Sequence, residues 1–513
     1  MLKRLAGDTA IYGIPSIIGR LLNVLLVPLH TAILDLPEYG VVQLLYAGIP
    51  LFFAILIFRL ETAFFRFGTR EFSMERVFST TFGTLLLTTP ILVLIVCWFG
   101  RDLAGWLLSD TGLTDLIYLS AGIILFDVLC ELPYARLRLQ NRARTFSAIR
   151  MANIGVNILL NLFFLLLCPW LLDRLAPGGG LHSFIEQLYD PEHPFFYIFL
   201  ANFAASVVAF LLLMVVTYKG KRTDGTVVSF SLPKVEWAVL RPMLVYAAPL
   251  VLAGLAGIAN ETLDRILLKF LLPLSDPEAV QAEIGVYGAC YKLAMFMALF
   301  TQAYRYAAEP IFFREAKNLD APAKYALMAE YFSIVGAAAF LIVNVYVDLF
   351  AWFLIDEKFW IGLGIVPIVL LANLMLGLYY NAAVWFKVTD RTGYGAIFAL
   401  VGAAVTIGLN WLLIPRIGYY GSAWATLACY SVMLALCYLF GQKFYPIPYR
   451  IGRIAGYATS AVAIYLLLDF FKASTQWSEI LYYSIATVLV LVWSFGVYRL
   501  VRSGLRNPGG MEV

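Results

Sequence analysis

Long apolar runs alternate with short polar segments along the whole chain. A helix of ~20 apolar residues crosses the ~30 Å hydrocarbon core of a bilayer, whereas membrane barrel strands are shorter and alternate apolar with polar. Fourteen such runs are legible, near 8–32, 39–65, 78–99, 114–135, 146–171, 195–218, 242–271, 284–309, 325–350, 361–386, 394–414, 419–441, 452–470 and 479–499. They predict an all-α integral membrane protein of fourteen spans, numbered here in chain order. Composition agrees: 62% of residues are hydrophobic and 14% charged, where soluble chains carry about a quarter charged. A soluble fold could not hide that much apolar surface.

The polar segments carry an asymmetry. Of 37 Lys and Arg, 25 lie in or at the edge of segments on the N-terminal side of the membrane, five lie on the other side, and seven lie inside spans. The positive-inside rule then places both termini in the cytoplasm. The first run follows two basic residues but has no convincing small-residue cleavage site, so it reads as a retained span. The six cysteines sit in or beside apolar runs without metal-like spacing, and the three histidines are scattered, so no metal site is expected. The basic connection 219–241 is expected to end in a short interfacial helix with Trp237 and Leu240 in lipid. No nucleotide-binding motif and no nucleic-acid surface is evident.

The chain also repeats itself. RILLKFLLPL from Arg265 matches RLLNVLLVPL from Arg20, an offset of 245 residues. EYG ending at Gly40 matches VYG ending at Gly288, and FFR ending at Arg66 matches FFR ending at Arg314, both at 248. Arg142 and Asn161 match Arg391 and Asn410 at 249. Six spans separate equivalents, so the repeats share one orientation and are expected to be related by a pseudo-twofold along the membrane normal. The predicted division is an N-lobe (1–218), a linker (219–241), a C-lobe (242–441) and a two-helix extension (442–513).

PLHTAILDLPEYG ending at Gly40, LDRILL in span seven, IGVYGACYKLA after it and AAEP closing span eight resemble the polysaccharide transporter family. That family belongs to the multidrug/oligosaccharidyl-lipid/polysaccharide exporter superfamily, and the resemblance runs from residue 8 to about 500. It implies a bacterial inner-membrane flippase that moves a polyprenyl-(pyro)phosphate-linked oligosaccharide outward for surface polysaccharides such as O-antigen or capsule. It further implies work beside a polysaccharide polymerase and glycosyltransferases, among membrane lipids.

Charges inside spans are costly and mark pathways or pairs. Arginine suits an anionic headgroup because guanidinium stays charged and binds phosphate through two parallel hydrogen bonds. Arg59 and Arg305, near the cytoplasmic ends of spans two and eight, are candidates to gather the headgroup. Arg20 and Arg265 are candidates to hold it midway, with Lys269 and Lys292 nearer the outer face. Glu261 stands four residues before Arg265, so an intrahelical pair is the alternative for that arginine; Asp264 lies beside it. Asp127 and Glu131 share a face of span four and, with Arg150, could couple transport to Na⁺ or H⁺. Asn153, Asn157 and Asn161 line one face of span five and suit interhelical hydrogen bonds.

Other readings are a lipid II flippase, which the SIIGRLLN of span one disfavours because it lacks an adjacent Arg-Asp pair, and a drug/cation antiporter, which should present acidic cavity walls. An enzyme acting on the same lipid is not expected. The longest outer loop offers only His182, Glu186, Asp190, Glu192 and His193 for such chemistry.

Overall fold

The computed structural model describes residues 19, 24–218, 233–316, 318–474 and 478–506. Every regular element among them is helical. Twelve are long and apolar enough to cross a membrane: Leu36–Arg70, Met74–Trp98, Thr111–Leu139, Ala143–Arg174, Pro194–Tyr218, Trp237–Leu271, Ala321–Val345, Glu357–Val388, Gly393–Ile417, Tyr419–Phe444, Ile451–Lys472 and Glu479–Leu500. Pro277–Leu293 and Met295–Glu315 together make a further span, bent by 46°. These match spans two to fourteen. Span one is described only near its end, as Val27–Ile33; Arg20 lies outside the described residues.

One local expectation fails. Among the described residues no separate interfacial helix precedes span seven, because Trp237 opens the continuous helix Trp237–Leu271. Trp237 is exposed as expected, but Leu240 is buried. Val239 and Met243 are fully buried against Ile57, Phe64 and Val77 of spans two and three. Burial of that apolar surface, worth ~25 cal/mol per Å², extends the helix through the region assigned to the interface.

The chain forms two compact units, Met1–Gly288 and Ala289–Val513. Span seven falls in the first unit because it packs along span two, so the units divide later than the lobes read from the sequence. Within the first unit the start of span eight crosses the start of span two at backbone contact. A Cβ on Gly40 would lie 2.6 Å from the carbonyl carbon of Gln281, and one on Gly285 would lie 3.0 Å from the amide nitrogen of Gly40. Gly288, the repeat partner of Gly40, faces the side chain of Gln43. Both glycine landmarks therefore serve one helix crossing.

In the second unit, spans thirteen and fourteen pack on span nine. Buried Glu330 of span nine meets Arg450 at 3.2 Å and Arg453 at 3.5 Å, and accepts a hydrogen bond from the Tyr457 hydroxyl at 3.3 Å. In the first unit, buried Arg136 pairs with both carboxylate oxygens of Glu75 at 2.8 Å and lies over the Phe78 ring. Arg136, one of the basic residues counted on the N-terminal side of the membrane, is thus also a helix-to-helix tie.

The duplication recurs in local geometry. Spans four and ten are followed by left-handed residues, Asn141 (φ 54°) and Asp390 (φ 57°). The Arg142 amide donates to the Leu137 carbonyl at 3.0 Å, and the Arg391 amide donates to the Phe386 carbonyl at 2.8 Å. Both are the six-to-one bond of a Schellman helix end. Asn161 and Asn410 each donate to the carbonyl four residues earlier, at 2.8 and 2.7 Å. Their side-chain oxygens meet His30 Nε2 at 2.9 Å and the Ser422 hydroxyl at 2.8 Å respectively.

Candidate functional site

Span two is broken where its first intramembrane charge stands. Leu36–Ile57 ends and Leu60–Arg70 begins across Phe58 (φ 48°) and Arg59 (φ 53°), both left-handed. A non-glycine residue pays roughly 1–2 kcal/mol for that conformation, and such strain gathers at functional positions. Its consequence here is placement. The Arg59 guanidinium lies against Gly254 of span seven, where a Cβ would stand 2.5 Å from Nε and 2.8 Å from Cζ. A larger residue there would push the guanidinium from this position. The nearest carboxylate oxygen, on Glu61, is 3.6 Å away, beyond hydrogen-bond length. Glu61 instead accepts from the Thr62 hydroxyl at 3.0 Å, and its second oxygen is buried without a partner among the described residues.

Arg305 of span eight, in the second unit, is held as loosely. Its Nε is 4.0 Å from Glu309, is buried, and has no hydrogen-bond partner among the described residues. Its guanidinium carbon sits 5.1 Å from the Tyr380 ring centroid. Glu309 is taken by Lys387 at 2.5 Å, and the neighbouring Tyr304 hydroxyl donates to Asn381 at 2.5 Å. Lys387, Tyr380 and Gly254 were not singled out in the sequence. Their partners are 78, 75 and 195 residues away, so no local spacing signals them.

Arg265 is built differently. It is buried, with one guanidinium nitrogen 3.1 Å from Asp264 Oδ1 and 3.2 Å from the Glu261 backbone carbonyl. The carboxylate that meets it here belongs to Asp264, which also accepts from its own neighbour's amide at 2.8 Å and from the Tyr287 hydroxyl at 2.5 Å. Through the Tyr287 hydroxyl, Asp264 ties span seven to span eight within the first unit, and the Arg265 guanidinium beside it lies 5.6 Å from the Tyr287 ring centroid. Lys269 donates to the Ser109 hydroxyl, and the neighbouring Phe270 ring packs at a tilt on Trp106, centroids 4.6 Å apart. Lys292 is half-buried in the second unit, two residues before the break at Ala294.

The carboxylates of span four do not form an ion pair with Arg150. Asp127 accepts from the Ser206 hydroxyl at 2.7 Å, and Glu131 accepts from Arg138 at 3.0 Å. Arg150 is exposed and stacks over Tyr134, 4.5 Å from its ring centroid. Spacing along span five placed the arginine near the carboxylates, but packing gave each a closer partner. Nearby, Asn202 donates to the Tyr46 hydroxyl at 3.3 Å.

In the outer loop, where no metal site is expected, Asp190, Glu192 and His193 bring ligand atoms within 4.8 Å of one another, all exposed. The His193 ring hydrogen-bonds Asp190 at 2.8 Å and holds that carboxyl below its ordinary range. His182 is buried, 3.4 Å from Glu186.

Among solved structures, the chain is similar to an inward-facing multidrug resistance MATE family transporter of the MOP superfamily: 14% identity, TM-score 0.60, over 88% of this chain and 99% of that one. It is also similar to the lipid II flippase MurJ in an inward closed conformation: 13% identity, TM-score 0.64, over 96% and 99%. The fold is that of these transporters. A MATE structure in complex with MaL6 matches at TM-score 0.55 and 14% identity. No protein-family model and no curated protein matches the sequence.

Proposed function

We propose that the chain is a secondary transporter that carries a polyprenyl-(pyro)phosphate-linked oligosaccharide from the cytoplasmic to the outer leaflet of a bacterial inner membrane, with both termini cytoplasmic. The observation that carries this reading is the state of the intramembrane arginines. Arg59 and Arg305 keep donors that no carboxylate among the described residues satisfies, at 3.6 and 4.0 Å from Glu61 and Glu309. A phosphate cannot shed its water in hydrocarbon without such partners. Arg265, bonded to Asp264 and the Glu261 carbonyl, supports the packing of span seven on span eight instead; Arg20 serves the middle of the path and Lys269 and Lys292 its outer part. Asp127 and Glu131, each on a single neutral or cationic partner, are the groups through which Na⁺ or H⁺ would couple. A sugar polymerase and glycosyltransferases would work on the same lipid; this chain performs no bond-making step.

The test is translocation in proteoliposomes, offered in parallel a polyprenyl-pyrophosphate oligosaccharide, lipid II and an organic cation. The reading expects the first to move and the cation not to move. Lipid II alone moving would reassign the chain to cell-wall synthesis, and the cation alone moving would make it a drug/cation antiporter.

A further inference from the structure

One repeated landmark is not used by the transport path proposed above. FFR closes span two at Arg66 and recurs at Arg314. In the second unit Arg314 Nε lies 3.3 Å from Glu315. In the first unit Arg66 has no carboxylate partner among the described residues; its guanidinium carbon is 4.3 Å from the Tyr246 ring and 5.4 Å from the Phe67 ring. Stacking on a ring face leaves the in-plane N–H donors unused. Arg66 and Arg241, likewise without an ion pair among the described residues, line one cavity of about 670 Å³ with Phe67, Trp237, Val245 and Tyr246.

We propose that this cavity holds the phosphate of an anionic phospholipid headgroup. Two guanidiniums without counter-ions among the described residues supply the charge and the fork geometry that phosphate takes. The rest of the lining specifies a lipid. Trp237 and Val245 are 64% and 70% exposed, and they stand eight residues apart on one helix, about 12 Å along its axis. An indole beside the arginines sits at headgroup depth, and an exposed apolar wall one or two turns further faces acyl chains. The basic segments place the cavity in the cytoplasmic leaflet, whose anionic lipids attract such sites. A site built for inorganic phosphate would need neither exposed apolar residue. The lipid here is a fixed neighbour of spans two and seven, so the inference rests on the membrane reading and not on the transported substrate.

The experiment is fluorescence quenching of the full chain in phosphatidylcholine vesicles containing either acyl-brominated phosphatidylglycerol or acyl-brominated phosphatidylcholine. The Trp237 signal is isolated by subtracting that of Trp237→Phe, since the chain has 11 tryptophans. Brominated phosphatidylglycerol is expected to half-quench Trp237 at roughly tenfold lower mole fraction than brominated phosphatidylcholine, the preference two surface arginines confer. Arg66→Gln with Arg241→Gln should abolish the preference, and the double Lys variant should keep part of it. Both arginines are exposed, so the fold should survive; unchanged transport by the Gln pair would separate this site from the substrate path. Equal quenching by the two lipids, or a preference that persists in the Gln pair, overturns the proposal. So does millimolar inorganic phosphate bound without any lipid preference, which would make the cavity a free-anion site.

Discussion

Spans two and eight hold matching places in the two repeats, offset by 248 residues, yet their backbones break at different points. Span two breaks at Phe58 and Arg59, both left-handed. The matching residues Tyr306 and Ala307 lie inside the helix Met295–Glu315, and span eight breaks earlier, at Ala294. Spans four and ten show the opposite case, with helix ends built alike at Asn141 and Asp390. Duplication preserved the turns that connect spans, where only the chain reversal matters. It did not preserve the breaks that aim a charge. The breaks are therefore where function is to be sought.

Three sets of substitutions bear on that comparison. The largest effect is expected at the buried arginine: Arg265→Ala leaves buried Asp264 without its cation, at a cost of about 3–5 kcal/mol, and should deplete the protein from the membrane on immunoblotting. Normal abundance with lost export would instead move Arg265 into the path. Next come the paired glycines. Gly40→Ala drives a methyl into the Gln281 backbone, which cannot swing aside, and should cost about 3 kcal/mol; Gly288→Ala meets the mobile Gln43 side chain and should cost about 1 kcal/mol. Equal drops in melting temperature would mean that the crossing is not as asymmetric as described. The smallest effect tests the conserved turns. Asn141→Ala and Asp390→Ala should each cost about 1 kcal/mol, and Gly at either position should be tolerated. A cost at only one of them would break the equivalence of these helix ends.

The spans were legible because a bilayer demands a run of apolar residues whatever the tertiary structure. Helix boundaries came within about seven residues for thirteen spans, the widest miss being span eight, expected at 284–309 and found at Pro277–Glu315 with a bend; the repeat was read from its polar landmarks. The partners of the charges were not. The spacing of Glu261 and Arg265 suggested a pair by the i,i+4 rule, yet the Asp264 carboxylate is the one fixed against the guanidinium, because the Tyr287 hydroxyl reaches it from the next helix. Asp127 faces Ser206, and Glu309 faces Lys387, across 79 and 78 residues. The break at Phe58–Arg59 has no mark either, since neither residue favours a left-handed backbone. Only packing selects it, with Gly254 leaving the room for Arg59.

The central claim is that loosely paired Arg59 and Arg305 take the lipid phosphate. It is tested most directly by titrating a polyprenyl pyrophosphate, without sugar, onto the purified full chain and its Arg59→Ala/Arg305→Ala variant by native mass spectrometry. Two lost charge-assisted contacts of about 1.5–3 kcal/mol each predict affinity weakened by at least a hundredfold, with melting temperature little changed and Lys at both positions restoring part of it. Affinity equal to that of the unsubstituted chain would contradict the account.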